Sequence, residues 1–332
     1  MGRRVWIVLL GLMAACSDDG GPRPGAATLG TGINPTAGSS GVDSFGDGSG
    51  ESGEATDDPS GSVPGFDVGA DPDGIEDDGC KKVDVVLAVD NSGSMSEEHD
   101  ALRGPVFDSF PQTLLDINNG IEDFQLAVID ACPKPAYFHN YGTGGACNFS
   151  TGRNYMVSTS PNLEAEFSCV SHVSPTGYEN MPDQCIDDGD FADDDEQPAL
   201  AAAESVSAVN LAGVNAGFVR DDAILFVVTI TDEDEELADV GSAQEIYNRI
   251  IAAKGGDVSS VVYMGVAGNS ICNGPYGTAL DAVVSKQVAS LFAAQGQGLF
   301  WDLCQGSLED AFQTAISTIV DDTCERFTPP EG

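Results

Sequence analysis

Five short runs of β-branched and aromatic residues punctuate the chain: Val83 to Val89 (VDVVLAV), Phe124 to Ile129 (FQLAVI), Ala223 to Ile230 (AILFVVTI), Ser260 to Val266 (SVVYMGV) and Gly298 to Leu303 (GLFWDL). Runs so continuously apolar predict strands buried on both faces. Between them apolar residues return at helical spacing, first at Leu102, Val106, Phe110 and Leu114, then over 199–209, 243–253, 279–294 and 308–320. Gly104-Pro105 and Pro111 are expected to kink or restart the first of these helices. Strand–helix alternation of this kind predicts an α/β fold, a doubly wound and mostly parallel central sheet flanked by helices.

Ahead of the first run the chain has a different character. It opens MGRRVWIVLLGLMAACSDDG, with Arg3 and Arg4 before an apolar run from Val5 to Ala15 that is too short to span a bilayer and suits an export signal. Leu12-Met13-Ala14-Ala15-Cys16 resembles a bacterial lipobox, which implies a signal peptide over 1–16 and a lipid on Cys16. Residues 17–79 are Gly, Ser, Pro, Asp and Glu with almost no large apolar side chain, and are expected to be a disordered acidic linker. The folded domain is expected over 80–324, with a short tail at 325–332. A serine after Cys16 in place of aspartate favours the outer membrane of an exported, lipid-anchored envelope protein.

Hydrophobic residues make up 41% of the chain, which excludes wholesale disorder. Asp and Glu number 54 against 13 Lys and Arg, a formal charge of −41, so nucleic acid is excluded as a partner. Apart from Cys16, eight cysteines remain: Cys80, Cys132, Cys147, Cys169, Cys185, Cys272, Cys304 and Cys324. An even number in an exported chain predicts disulfides. Cys80–Cys324 would clip the two ends of the domain, Cys272–Cys304 would form a second bridge, and the other four would pair within residues 131–196. That stretch has little periodicity and is expected to be a disulfide-held insertion, with a strand near Tyr155 to Ser158.

Directly after the first strand comes Asp90-Asn91-Ser92-Gly93-Ser94-Met95-Ser96. An acid and two hydroxyls spaced two apart at the C-terminal end of a parallel strand point into the crevice where α/β sheets bind ligands, and oxygen donors on a tight turn suit a hard cation. DVVLAVDNSGSM resembles the von Willebrand factor type A domain, whose metal-ion-dependent adhesion site opens with Asp-x-Ser-x-Ser. The resemblance covers about residues 80 to 324 and implies a Rossmann-like fold with one Mg2+ or Ca2+ at Asp90, Ser92 and Ser94. It also implies an Asp from a third loop, matched by Asp232 of Thr231-Asp232 after the strand AILFVVTI.

The second loop departs from that pattern, because no Ser or Thr lies between Gly177 and Glu204. The chain instead reads Asp187-Asp188-Gly189-Asp190-Phe191-Ala192-Asp193-Asp194-Asp195-Glu196. The resemblance implies a Thr oxygen from this loop, so either a carboxylate, with Asp194 the candidate, replaces it, or water does; Thr176 is a third possibility if the insertion folds back. A second acidic run, Asp232 to Glu236, is expected on the same sheet edge and would make that face strongly electronegative. His99, His139 and His172 are read as surface or loop residues.

The expected function is a lipid-anchored, metal-dependent adhesion or assembly module whose protein ligand offers an oxygen donor to the ion. No catalytic residue is expected, since no Ser-His-Asp or Cys-His arrangement is legible. The alternatives are an acidic calcium-binding envelope protein with a degenerate site and, further off, a metal-assisted hydrolase.

Overall fold

The computed structural model describes residues 82–102, 110–116, 121, 123–142, 145–171, 196–237 and 241–327. The leader with Cys16, the acidic linker, Cys80, His172, Thr176, Cys185 and Asp194 lie outside the described residues.

Ten strands form three sheets. They are β1 (Lys82–Val89), β2 (Asp123–Ile129), β3 (Tyr141–Gly142), β4 (Gly145–Ala146), β5 (Met156–Val157), β6 (Ile224–Ile230), β7 (Val261–Ala267), β8 (Cys272–Asn273), β9 (Thr278–Ala279) and β10 (Gly298–Asp302). The central sheet runs β10-β7-β6-β1-β2-β5. All its neighbours are parallel except the short edge strand β5, which is antiparallel to β2. The long strands therefore coincide with the five apolar runs, and the mostly parallel α/β sheet is the expected one.

Burial on both faces explains why β1 is apolar at every position from Val85 to Val89. Val83, Val85, Leu87 and Val89 enter one core with Phe110, Phe167 and Phe312. Val86 and Ala88 enter the other, with Ala199 to Ala203, Ile246, Ile250 and Phe292. The helices are α1 (Ser96–Leu102), α2 (Phe110–Asp116), α3 (Leu163–Ser171), α4 (Pro198–Ser205), α5 (Ala208–Leu211), α6 (Ala243–Ala252), α7 (Val283–Ala293), α8 (Leu308–Thr314) and α9 (Asp321–Arg326), with a π-helical stretch Ala315–Val320 between the last two. The helix expected over 199–209 is broken, because Ser207 caps a new helix by accepting from Asn210 N. The helix expected from residue 279 starts at Val283, since Thr278–Ala279 pairs with Cys272–Asn273. The last helix runs to Arg326, into the expected tail.

Cys147–Cys169 and Cys272–Cys304 are disulfides, and Cys132 and Cys324 are also disulfide-bonded. The insertion is tied to the core through Asn215, which is fully buried. Its Nδ2 donates to Ala136 O at 3.1 Å and Ser205 O at 2.8 Å. Its Oδ1 accepts from Phe138 N at 3.3 Å and Asn154 Nδ2 at 3.0 Å. One polar side chain thus satisfies backbone and side-chain groups from three segments, as a buried amide must.

Candidate functional site

Strand order places the site. From β1 the chain steps to β2 on one side, then returns across β1 to β6 on the other, so the switch of direction falls between β1 and β6. Asp90 follows β1 and Thr231-Asp232 follows β6, which brings them side by side. Asp90 N donates to Ile230 O at 2.9 Å, extending the ladder to the crevice.

Asp90 is fully buried and held from two sides. Its Oδ1 accepts from Ser92 N at 2.8 Å, and its Oδ2 accepts from the Thr231 hydroxyl at 2.6 Å. Ser92 Oγ lies 2.8 Å from Ser94 Oγ, and Ser94 Oγ donates to Asp232 Oδ1 at 3.0 Å. The structure therefore brings together all four described candidates, Asp90, Ser92, Ser94 and Asp232. Asp90, Ser92 and Asp232 are buried while Ser94 is exposed, so the cluster opens to solvent on the Ser94 side.

Carboxyl groups crowd this point. Burial pushes Asp90 up to about 6, against the hydrogen bonds from Thr231 and Ser92. Asp232 is pushed up to about 7 by burial and by the charge of Asp90. Glu98, in the first turn of α1, is pushed to about 7, chiefly by burial and in part by Asp232 and Asp90. It is 1% exposed, and neither carboxylate oxygen has a hydrogen-bond partner among the described residues. Gly277 backs directly onto it: a Cβ there would come within 2.0 Å of Glu98 Oε1. Glu196, from the segment before α4, is raised well above the usual carboxylate range by burial, by its hydrogen bond with Glu233 and by the charges of Asp90 and Asp232.

Sequence reading missed Glu98 and Glu196. The signal for Glu98 is an acid in the first turn of the helix that opens just after the serines. Glu196 closes the acidic run of the second loop, so a carboxylate from that loop does lie near the site, in Glu196. Thr231 was matched to a family pair without a role; it proves to be the anchor of Asp90.

The second acidic run does not act as one electronegative surface. Asp234 Oδ1 accepts from Val284 N at 2.8 Å and Ser285 N at 3.3 Å, at the start of α7. Glu235 is buried and accepts from Ala199 N at 2.9 Å and Leu200 N at 2.8 Å, at the start of α4. Neighbouring acids thus serve separate helix N-termini. Of the two described histidines, His99 differs from expectation by lying in a helix, and His139 is in a loop as read, though buried. His99 is 1% exposed and its Nε2–H donates to Asp90 O at 2.9 Å, while His139 is 4% exposed and lies 3.3 Å from buried Asp130. His99 sits in the core because a carbonyl oxygen satisfies its Nε2–H, and His139 lies there beside a buried carboxylate.

The donors at the Asp90 cluster are all hard oxygens, and the buried, unpartnered Glu98 carboxylate and the raised carboxyls beside it fit a divalent cation. A second convergence, Cys272, Asp302 and Cys304, does not fit one, because its two sulfurs are joined to each other.

The described residues thus define a mixed α/β domain, a six-stranded mostly parallel sheet with helices, bearing an acidic, hydroxyl-lined site at its switch point. No family model and no curated protein matches the chain. Two solved structures of proximal thread matrix protein 1 from the mussel byssus resemble it, at 11% identity with TM-score 0.42 and at 12% with TM-score 0.38. The matches cover 71% and 70% of this chain but 47% and 46% of theirs, so it spans about half the length of those relatives.

Proposed function

We propose that this chain is a metal-dependent binding module, a von Willebrand factor type A domain that holds one Mg2+ or Ca2+ and presents it to a protein partner carrying a carboxylate or other oxygen donor. The observation that supports this most directly is the convergence of Ser92 Oγ, Ser94 Oγ and Asp232 Oδ1, within 2.8 and 3.0 Å along the chain of contacts, with Ser94 open to solvent. Asp90, Ser92, Ser94 and Asp232 would hold the ion, with Glu98 and Glu196 beside it. A bound ion supplies a Lewis-acid centre for an incoming oxygen. The chain's own part is to fix the donors: Thr231 and the Ser92 amide orient Asp90, and the ladder bond to Ile230 seats it.

On this reading the chain is a binder rather than an enzyme, displayed from the cell envelope, in the outer membrane, by a lipid on Cys16. The only described histidine bonded to the site's first residue spends Nε2 on a main-chain oxygen, which leaves it no activating role toward Ser92 or Ser94 through that nitrogen. Calorimetric titration of the full chain with Mg2+ and with Ca2+, beside Ser92→Ala, tests the reading. One tight site lost in the variant is expected; absence of any tight site sinks it.

A second reading, an acidic calcium-binding envelope protein, is favoured by one observation: the carboxyl of Glu196, from the second loop, lies near enough to Asp90 and Asp232 for their charges to raise it. More anionic ligands favour Ca2+. Many weak Ca2+ equivalents, with none tight, is its signature in the same titration.

A further inference from the structure

The disulfide-held insertion and the loop after α5 line an open cleft of about 770 Å3, within the range of small-molecule sites. It is chemically unlike the rest of the molecule. In a chain with 54 acids against 13 bases, its twelve described lining residues include one arginine and no aspartate or glutamate. Tyr137 and Tyr141 line it half-buried, each offering a ring face and a phenol. Asn140, Asn148 and Asn154 line it as well, and each amide can both donate and accept.

The walls are built rather than loose. Asn215 joins Phe138 and Asn154 on the insertion side to the main domain through Ser205. Arg153 Nη1 bridges the two sides, donating to Ala216 O at 2.7 Å and to the Tyr155 hydroxyl at 2.9 Å. The Cys147–Cys169 bridge ties the segment carrying Asn148 to α3. A cleft held this way loses little entropy on binding.

We infer that this cleft is a carbohydrate-binding site for a short neutral oligosaccharide. A pyranose ring presents apolar C–H faces and a rim of hydroxyls that donate and accept, which matches tyrosine faces interleaved with amides. A phosphorylated or acidic ligand meets a single arginine there and the repulsion of a −41 chain. The inference is independent of the metal reading, since none of the cleft residues named here belongs to the Asp90 cluster.

The test is calorimetry of the full chain with maltotriose, cellotriose and triacetylchitotriose, each with and without EDTA, and with inorganic phosphate as the competing chemistry. At least one trisaccharide is expected to bind with a Kd on the order of 0.1–1 mM, unchanged by EDTA. Tyr141→Ala and Asn148→Ala should each weaken it by roughly tenfold or more, while Tyr141→Phe keeps most of it. Asn148 is exposed, so its variant tests the site without threatening the fold. The inference is overturned by no binding of any of the three at about 10 mM, by binding that both alanine variants leave intact, by loss of binding in EDTA, or by phosphate binding more tightly than every trisaccharide.

Discussion

The hydroxyl of Thr231 donates a 2.6 Å hydrogen bond to the carboxylate of Asp90, joining the residues that follow two adjacent parallel strands. Thr231 Oγ1 also accepts from Glu233 N at 3.1 Å, so the hydroxyl fixes both the acid and the loop behind it. Removing it while keeping its shape, as Thr231→Val, leaves the Asp90 carboxyl buried and held by Ser92. Partners that orient a metal's ligands are worth about 10–100-fold in affinity. The expected result is a loss of that order in Mg2+ or Ca2+ affinity by calorimetry with the fold retained by circular dichroism. Unchanged affinity would separate Asp90 from metal binding.

The Glu235 carboxylate caps α4 from outside, receiving the amides of Ala199 and Leu200 at 2.9 and 2.8 Å. Gln197, the residue in the N-cap position, makes no side-chain cap, so the cap has been supplied by a residue after β6. Burial pushes Glu235 from 4.5 up to about 8, against those two amides. The folded chain therefore keeps a proton that the unfolded chain releases near 4.5, and the stability this contributes is complete below that pH and lost as pH rises through about 8. Glu235→Gln, which cannot ionise, is expected to flatten this part of the stability profile in urea titrations across that window. Glu235→Ala, which orphans the amides, should cost about 1–2 kcal/mol at every pH. A Gln variant with the full wild-type slope would mean that other carboxyls carry the dependence.

The contrast between these two sites marks what a sequence can reveal. Asp90, Ser92 and Ser94 were legible because three oxygen-bearing side chains lie within five residues on one turn, and the apolar runs marked the sheet because continuous burial leaves a local trace. Glu98 and Glu196 were not, because an acid in a helix's first turn or at the end of an acidic loop looks the same whether it faces solvent or a buried crevice. The run Asp232 to Glu236 misled for a related reason. Its members point to different neighbours, Asp232 to Ser94, Asp234 to α7 and Glu235 to α4, and only tertiary packing separates them. His99 was read as a surface or loop residue because its bond from the helix back to the Asp90 carbonyl leaves no trace in the sequence, whereas His139 does lie in a loop but is buried beside Asp130.

At the opposite end of β1, Asp84 interrupts an otherwise apolar strand at 0% exposure, and Arg220 answers it. Arg220 Nε donates to Asp84 Oδ1 at 2.8 Å and its backbone N to Oδ2 at 2.7 Å, while Nη1 reaches Asp123 Oδ1 at 2.6 Å. Burial outweighs this attraction and pushes Asp84 up to about 6. Its contribution to stability is thus complete below the unfolded value of 3.8 and lost as pH rises through about 6. Arg220→Met strands the acid in the sheet, a change that costs about 3–5 kcal/mol when a buried pair loses one member. Because Asp84 can be protonated at low pH but must be ionised or pay desolvation at high pH, the deficit should be larger at pH about 8 than at about 5. Adding Asp84→Asn to Arg220→Met should recover part of the loss at the higher pH and little at the lower. Urea unfolding of the wild type and both variants at the two pH values decides it: an equal deficit at each would show that Arg220 acts through packing and its bonds to Asp123 and Val83 rather than through the charge of Asp84.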